Sequence, residues 1–248
     1  MLVHHQFAYY LFYIVKGTFL PEKLRVRGKI LTKDDFVSGR HIEMIRKSGL
    51  EQYAQLNSDD YKIRQKDELI KKSPGEMIWI FGYGSLLWNP AFDYEKQDIG
   101  ILYGYHRRFC FWSKIGRGTP KKPGMMLGLD RGGSCRGILL GVSRGRAYEE
   151  LTSVFMRELT GVTYHSKLLR VLTTEGPVMA ITFVSNPLSP HYVEKQKLED
   201  TARYIAQGKG HLGPCYHYLF NTVEHLEALG IHDPVLNKLR SLVRSIRK

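Results

Sequence analysis

The sequence predicts an α+β fold in which an antiparallel or mixed sheet closes towards a barrel, with helices around it. Segments with strand character follow one another as hairpins rather than alternating with helices, which argues against a doubly wound parallel sheet. Helical patterns gather at the C-terminal end of the chain. In addition, 43% of the 248 residues are hydrophobic, which is enough to form a sizeable core.

The composition of the chain changes at about residue 76. We expect residues 1–76 to be a partly helical N-terminal extension. Thr32 is followed by Asp34 and Asp35, as an N-cap residue is followed by acidic residues in the first turn of a helix. Residues 57–72 read as a second, charged helical stretch. The breaker Ser73-Pro74-Gly75 then separates this extension from residues 77–248, which we expect to form the main domain.

Within the main domain, short runs rich in β-branched and aromatic residues are bounded by turn signals, as strands are. The predicted strands are Met77 to Phe81, Gly100 to Trp112, Met125 to Leu129, Cys135 to Val142, Leu168 to Leu172 and Val178 to Val184. We expect Asp130 to Ser134 to form a hairpin turn, and Glu175-Gly176-Pro177 to join the last two strands. The predicted helices are Ala147 to Thr160, Glu194 to Ala206, Cys215 to Leu229, capped by Gly230, and Pro234 to Ile246.

The chain is basic, with 37 Lys and Arg against 24 Asp and Glu and a net charge of +13. These residues are spread along the sequence without a recognition helix, so we favour solubility or an anionic small substrate over nucleic acid. Cys110, Cys135 and Cys215 form no paired motif, which argues against a disulfide framework or structural zinc and favours the cytoplasm. His211 and His217 flank Cys215 without a familiar metal-ligand spacing.

An apolar run near the N-terminus, Phe7 to Val15, is too short to span a bilayer. No Lys or Arg precedes it, and no small-residue cleavage site follows it. We therefore expect a packed strand or short helix, or an over-extended gene start, rather than a targeting signal or a membrane anchor.

A glycine-rich loop follows the first strand of the main domain, with the sequence Gly82-Tyr83-Gly84-Ser85-Leu86-Leu87. Glycine lets a ligand approach the backbone closely, and successive N–H groups in such a turn can bind an anion. Leu87 stands where a dinucleotide-binding motif needs glycine, and the Gly-Lys-Ser or Gly-Lys-Thr of a phosphate loop is absent. A carboxylate therefore fits better than a phosphate. The residues alone leave open whether the loop binds a ligand or only packs against the sheet.

Glu158 is a carboxylate on an apolar helix face. It follows Leu151, Val154 and Phe155 by seven, four and three residues, which places all four on one side of the helix. Burial disfavours the ionised form of a carboxyl, which suits a general base. A structural ion pair is the alternative, and the residues alone do not exclude it. The candidate partners are Arg157, Arg108 and Arg117.

Two further side chains are candidate substrate contacts. Arg117, in Gly116-Arg117-Gly118-Thr119, is a guanidinium in a flexible turn. It could bind a second substrate carboxylate through two parallel hydrogen bonds, or it could be a solvated loop residue. Tyr164 comes just after the helix of Glu158, where it could orient a substrate or only pack.

The segment Ile80 to Pro90, IFGYGSLLWNP, resembles the signature of ChaC-type γ-glutamylcyclotransferases, and the resemblance covers about residues 77–232. Further matches, in the same order, are Gly104-Tyr105-His106-Arg107-Arg108-Phe109, Gly116-Arg117-Gly118-Thr119, Arg157-Glu158, Asn186-Pro187, Leu212-Gly213 and Tyr218-Leu219-Phe220. The resemblance implies a γ-glutamylcyclotransferase-like mixed β-barrel, and cleavage of glutathione to 5-oxoproline and cysteinylglycine without metal or cofactor. It also implies that Gly82 to Leu87 bind the γ-glutamyl group and that Glu158 is the catalytic acid and base.

Two functions without catalysis are the alternatives. One is a regulator, for example of cation transport, that keeps the γ-glutamyl pocket as a ligand sensor. The other is a protein that binds an acidic partner through its basic surface. An activity assay separates an enzyme from a sensor, and binding to nucleic acid would weaken steeply with salt. The sequence carries no prediction of oligomeric state.

Overall fold

The computed structural model describes residue 24 and residues 26–248, so the apolar run Phe7 to Val15 lies outside the described residues. The strands are β1 (Met77–Gly82), β2 (Lys96–Ser113), β3 (Gly124–Ser143), β4 (Tyr164–Thr173), β5 (Gly176–Ser185), β6 (Lys209–Gly210) and β7 (Gly213–Pro214). The helices are α1 (Lys33–Val37), α2 (Arg40–Lys47), α3 (Asp59–Lys72), α4 (Arg144–Glu150), α5 (Thr152–Glu158), α6 (Leu198–Gln207), α7 (Cys215–Ala228) and α8 (Pro234–Ile246). Two short 3-10 turns are Glu51–Tyr53 and Ser85–Leu87.

Five strands close into a barrel in the order β1-β3-β2-β4-β5. The β5–β1 pair that completes the barrel is parallel, and the other four pairs are antiparallel. On β1 the fully buried Ile78 and Ile80 alternate with the half-buried Met77 and Trp79, because successive side chains of a strand point to opposite faces. The α+β class and the mixed barrel with surrounding helices are confirmed.

The β3 strand passes through the residues that the sequence predicted as a hairpin turn, so that prediction was wrong. Asp130, Arg131 and Ser134 pair with residues of β2, while Gly132 and Gly133 lie unpaired between them where the register shifts. Gly132 and Gly133 have φ of 95° and 67°, and Gly104 on the facing strand has φ of 82°. Positive-φ glycine serves a β-bulge as well as a turn, and here it shifts the register of the ladder without reversing the chain. The chain reverses instead between β2 and β3, at residues 114–123.

The predicted helix Ala147 to Thr160 is divided into α4 and α5 at Leu151. The Leu151 N–H still donates to the Ala147 carbonyl at 3.1 Å, and its own carbonyl accepts from the Phe155 N–H at 3.1 Å. The apolar face therefore stays aligned across the break, and Leu151, Val154 and Phe155 are buried as expected. The C-terminal helices are confirmed, although α6 begins at Leu198, later than expected.

The described part of the N-terminal segment packs against the main domain. Thr32 starts α1 through the expected cap, and its side chain takes part in a reciprocal capping box. On α3, the buried Lys66 donates through Nζ to the Tyr148 carbonyl at 2.6 Å and to Thr152 Oγ1 at 3.0 Å. These bonds tie α3 to α4 and α5, the helices that lead to Glu158. No helix in the described part of the chain is long and apolar enough to cross a membrane.

Candidate active site

A cavity of about 210 Å³ lies between the glycine-rich loop, the end of α5, the start of α7 and the N-terminal segment. Seven of the nine residues predicted from the sequence line it. These are Tyr83, Gly84, Ser85, Leu86, Arg117, Glu158 and Tyr164. The fold thus brings together three regions that lie far apart in sequence, the loop, the Arg117 turn and the helix of Glu158.

Gly82 and Leu87 lie next to the cavity but do not line it. A Cβ on Gly82 would stand 2.8 Å from Leu86 Cβ and 2.9 Å from Ile138 Cγ2, so only glycine leaves room for this packing. Leu87 is 1% exposed, and its N–H donates to the Gly84 carbonyl at 3.0 Å. Both residues shape the loop from behind.

The loop leaves a run of backbone donors unused. The N–H groups of Leu87 and of the two residues after it donate to the carbonyls of Gly84 and Ser85. By contrast, the N–H groups of Gly84, Ser85 and Leu86 have no acceptor among the described residues. Backbone N–H groups are strong donors that need a partner, and successive free ones form a nest for an anion. The geometry therefore suits a carboxylate bound by the loop.

Glu158 is the last residue of α5, and its side chain is 13% exposed. Its Oε1 accepts from Nε of Arg157 at 2.7 Å and lies 2.6 Å from Nη2 of the same guanidinium. Oε2 has no partner among the residues that the structure describes. The ion pair considered from the sequence is therefore present, with Arg157, while the carboxylate lines the cavity. One oxygen is held and the other is free to take a proton.

Arg157 also joins Glu158 to the loop. Its Nη2 is 3.2 Å from Ser85 Oγ, and its Nη1 donates to the Asn89 carbonyl at 2.6 Å. The guanidinium lies over the ring of Phe36, 5.7 Å from the ring centre. An arginine with this many partners holds the carboxylate at a set distance from the loop, because its planar fork leaves few other arrangements.

The turn after Glu158 is clamped by the N-terminal segment. The Asn57 N–H donates to the Thr160 carbonyl at 3.0 Å. Its side-chain amide donates to the carbonyls of Leu159 at 3.1 Å and Gly161 at 2.9 Å. These three bonds fix the chain directly after the end of α5. A segment outside the barrel thus helps to place the carboxylate.

Two tyrosine hydroxyls of the cavity wall are bonded to the backbone. Tyr83 donates to the Phe183 carbonyl at 2.8 Å, and Tyr164 donates to the Leu127 carbonyl at 2.6 Å. Burial raises the pKa of both hydroxyls well above the ordinary value, so both stay neutral. Tyr164 therefore forms part of the wall, with its hydroxyl already engaged.

Tyr218 lines the same cavity, although in the sequence only a motif match included it, without a role. Its ring is buried, while its hydroxyl has no hydrogen bond to any described residue. A Cβ on Gly84 would lie 2.8 Å from this hydroxyl, which shows how close Tyr218 comes to the loop. Burial and the negative charge of Glu158 raise the pKa of Tyr218, so the hydroxyl keeps its proton and can donate.

Arg117 is not a solvated turn residue, because it is 3% exposed. Its Nη1 donates to the Leu212 carbonyl, and its backbone N–H donates to Ser113 Oγ at 2.9 Å. No carboxylate of the described residues is within ion-pair distance of the guanidinium. Burial lowers the pKa of Arg117, so a bound anion would stabilise its charged form.

A second arginine, Arg107, supports the loop from outside the cavity. Its Nε donates to the Tyr83 carbonyl at 2.6 Å and its Nη2 to the Arg136 carbonyl at 2.6 Å. Its Nη1 pairs with Asp233 Oδ2 at 2.8 Å. The partners of Arg107 lie 24, 126 and 29 positions away along the chain, so no local pattern predicts these contacts. In the sequence, Arg107 stood out only as part of a motif match.

The cysteine of the C-terminal region is not arranged as a nucleophile. Cys215 is fully buried, and its thiol donates to the Met125 carbonyl at 3.1 Å. Burial raises the pKa of Cys215 to about 11, which keeps the thiol protonated at neutral pH. Across residue 24 and residues 26–248, no group of three or more His, Cys, Asp or Glu side chains is placed to hold a metal ion.

Comparison with known proteins relates the chain to one family. The family model described as ChaC-like protein matches residues 78–246. The glutathione-specific γ-glutamylcyclotransferase of Escherichia coli is 36% identical over 170 residues, which cover 68% of this chain and 74% of that protein. Glutathione-specific γ-glutamylcyclotransferase 1 of Danio rerio is 30% identical over 178 residues, with 68% of this chain and 91% of that protein covered.

A solved structure shows the same fold. The crystal structure of the γ-glutamylcyclotransferase specific to glutathione from yeast superposes with a TM-score of 0.64 and 21% sequence identity, covering 70% of this chain and 98% of that one. The barrel, the loop and the family match thus coincide in one region of the sequence. The chain belongs to the ChaC-like protein family.

Proposed function

We propose that this protein is a γ-glutamylcyclotransferase that cleaves glutathione to 5-oxoproline and cysteinylglycine. The observation that carries the proposal is the position of the Glu158 carboxylate in one cavity with the free N–H groups of Gly84, Ser85 and Leu86. A γ-glutamyl group offers an α-carboxylate for the loop and an α-ammonium for Glu158. Relatives that carry this activity in their names support the same substrate. Residues 77–248 form the catalytic domain in this proposal.

The loop binds the α-carboxylate through its backbone donors, and Arg117 binds the glycine carboxylate at the other end of the tripeptide. Arg117 suits this task because it is a buried guanidinium in the cavity wall with no carboxylate partner among the described residues. Binding at both ends holds glutathione in a folded conformer, with its amine close to its own γ-carbonyl. Holding reacting groups together in this way supplies much of the acceleration.

Glu158 acts first as the base. Its carboxylate takes a proton from the α-ammonium, which leaves a free amine. The amine nitrogen attacks the γ-carbonyl carbon and forms the carbon–nitrogen bond of a five-membered lactam. The bond from that carbon to the cysteinyl nitrogen then breaks, and the protonated Glu158 returns the proton to the departing nitrogen. As the lactam forms, its nitrogen gives up a second proton to Glu158, which passes it to the released cysteinyl amine, so cysteinylglycine leaves as an ammonium and the lactam keeps one N–H. One carbon–nitrogen bond forms and one breaks, and no nucleophile of the enzyme takes part.

The attack places negative charge on the γ-carbonyl oxygen. Tyr218 is the candidate donor to this oxygen, because its hydroxyl is protonated, lines the cavity and has no partner among the described residues. A donor placed where charge develops lowers the barrier more than one that binds only the ground state. Arg157 holds Glu158 and does not contact the substrate in this scheme. We place the reaction in the reducing cytoplasm, in keeping with three buried free cysteines.

Mass-spectrometric detection of 5-oxoproline tests the proposal. The purified protein is incubated with glutathione and with a panel of other γ-glutamyl compounds. We expect 5-oxoproline and cysteinylglycine to form from glutathione in equal amounts. If glutathione binds without any turnover, a γ-glutamyl sensor replaces the enzyme as the better interpretation. If glutathione does not bind at all, the cavity serves another ligand and the proposal is wrong.

A further inference from the structure

Residues 27–31, which we call the strap, cross one side of the cavity. They lie outside residues 78–246, the part of the chain that matches the family model. Lys29, Ile30 and Leu31 line the cavity directly. Gly28 has φ of 90°, and a Cβ there would lie 3.0 Å from Arg117 Nη1 and 3.1 Å from the Leu212 carbonyl. The strap therefore passes directly against the guanidinium that the family segment contributes.

The strap is attached at both ends. Arg27 exchanges two hydrogen bonds with the fully buried Asn221 on α7, from its N–H to Oδ1 and from Nδ2 to its carbonyl, both at 3.0 Å. Its side chain pairs with Glu224. At the other end, the amide of Asn89 donates to the Leu31 carbonyl at 3.0 Å. Partly buried side chain–backbone bonds at both ends hold the strap in a defined path over the cavity.

The end of the cavity beneath the strap is positively charged. Lys29 and Arg117 both line it, and neither has an ion-pair partner within the part of the chain that the structure describes. The charges of both act on the same neighbour: burial lowers the pKa of His211, and Lys29 and Arg117 lower it further. Glu158, the acidic residue of the cavity lining, is engaged by Arg157. Two unpaired cations beside one cavity attract an anion, and a like-charged pair gains most when an anion bridges it.

We infer that the strap and Arg117 together form a subsite for a second carboxylate of the substrate, with Lys29 as a residue that determines specificity. This inference rests on the proposed function and extends it. The chain then prefers γ-glutamyl peptides that end in a free carboxylate over γ-glutamyl compounds that lack one. Arg117 forms the buried part of the subsite, and the exposed Lys29 forms its outer part.

Glutathione and its glycine amide test the subsite, since they differ only in the carboxylate that the strap would recognise. The full chain is measured as wild type and as Lys29→Ala, Lys29→Glu and Lys71→Ala. Lys71 is an exposed lysine on α3 that does not line the cavity, so it controls for the loss of one positive charge. KM and kcat are determined for each compound, and Kd is measured by calorimetry.

We expect the wild type to have a lower KM for glutathione than for the amide. Lys29→Ala should raise the KM for glutathione about threefold, the size expected of a partly exposed charge pair, and Lys29→Glu should raise it further. Neither change should alter the KM for the amide or the kcat for either compound. Lys71→Ala, the control, should leave all of these values unchanged. The advantage of glutathione should shrink at high salt, because screening weakens exposed pairs.

Equal KM values for the two compounds in the wild type would overturn the inference, as would a Lys29 change that affects both compounds equally. Failure of the proposed function has a different signature, the absence of 5-oxoproline from both compounds. In that case, the Kd values measured by calorimetry still test whether the subsite binds the second carboxylate. Tighter binding of glutathione than of the amide, reduced by Lys29→Glu, supports it, whereas equal binding or no binding of either compound overturns it.

Discussion

The Arg107 guanidinium holds the carbonyl of Tyr83, with 2.6 Å between Nε and the oxygen. A trans peptide is planar, so its N–H points opposite to its C=O. Fixing the Tyr83 carbonyl on Arg107 therefore turns the Gly84 N–H away from Arg107, and Gly84 lines the cavity. An arginine outside the cavity thus orients one of the donors that we propose for the α-carboxylate. Arg107 is a positioning residue in this arrangement and does not touch the substrate.

Arg107→Lys should raise the KM for glutathione about tenfold with a smaller effect on kcat, because lysine keeps the charge but cannot hold all three partners. Steady-state kinetics, with circular dichroism as a check of folding, measure this. Asp233→Asn is the matched control, because it removes the ion pair with Arg107 while asparagine can still cap α8 and Arg107 can still reach Tyr83. This change should lower the stability of the protein and leave the KM for glutathione unchanged. A folded Arg107→Lys protein with an unchanged KM would contradict the positioning role.

Glu158→Gln should lower kcat by a factor of about 10² to 10⁴, the usual contribution of a general acid or base. Glutamine keeps the size of the side chain and an oxygen for Arg157, so glutathione should still bind and the melting temperature should change little. Rates of 5-oxoproline release and calorimetric binding measure the two effects. Glu149→Gln on α4 is the control, because that carboxylate is exposed. Near wild-type turnover by Glu158→Gln would remove Glu158 from the mechanism.

Gly84→Ala should reduce kcat/KM while the protein stays folded. The added Cβ would lie 2.8 Å from the Tyr218 hydroxyl, so it would crowd the space between the loop donors and that hydroxyl. Gly145→Ala is the matched control, because no atom lies within 4 Å of its added Cβ on α4. There alanine should stabilise the helix by up to about 1 kcal/mol without affecting activity. Equal activity of both variants would show that the loop does not bind the substrate closely.

Thiol reagents should leave the activity intact at neutral pH. Burial raises the pKa of Cys110 to about 12 and that of Cys215 to about 11, and it raises the pKa of Cys135 as well. Each group therefore stays a thiol below these values, and the reactive thiolate is scarce. Iodoacetamide at pH 7.5, followed by mass spectrometry and the activity assay, should label all three only after unfolding. Rapid labelling of Cys215 with loss of activity would favour a cysteine hydrolase.

Local patterns predicted the parts of the site that lie within one element. The spacing of Glu158 from Leu151, Val154 and Phe155 placed it on the inward face, and the structure confirms that placement. The glycines of the loop after β1 indicated close backbone approach, and Gly84 has that role. Local patterns failed where one residue type serves two structures: Gly132 and Gly133 suit a turn or a bulge, and only pairing with β2 selects the bulge.

The sequence alone identified the barrel with its helices, the loop and the catalytic candidate, because helical and strand periodicity is a property of neighbours along the chain. Only the tertiary structure decided which residues share the cavity. The structure alone shows that Lys29 and Tyr218 line the cavity and that Arg107 holds the loop from outside. It also shows Arg117 as a buried cation with no ion-pair partner among the described residues, rather than a solvated turn residue. Such roles depend on burial and on distant partners, and no spacing within one segment encodes them.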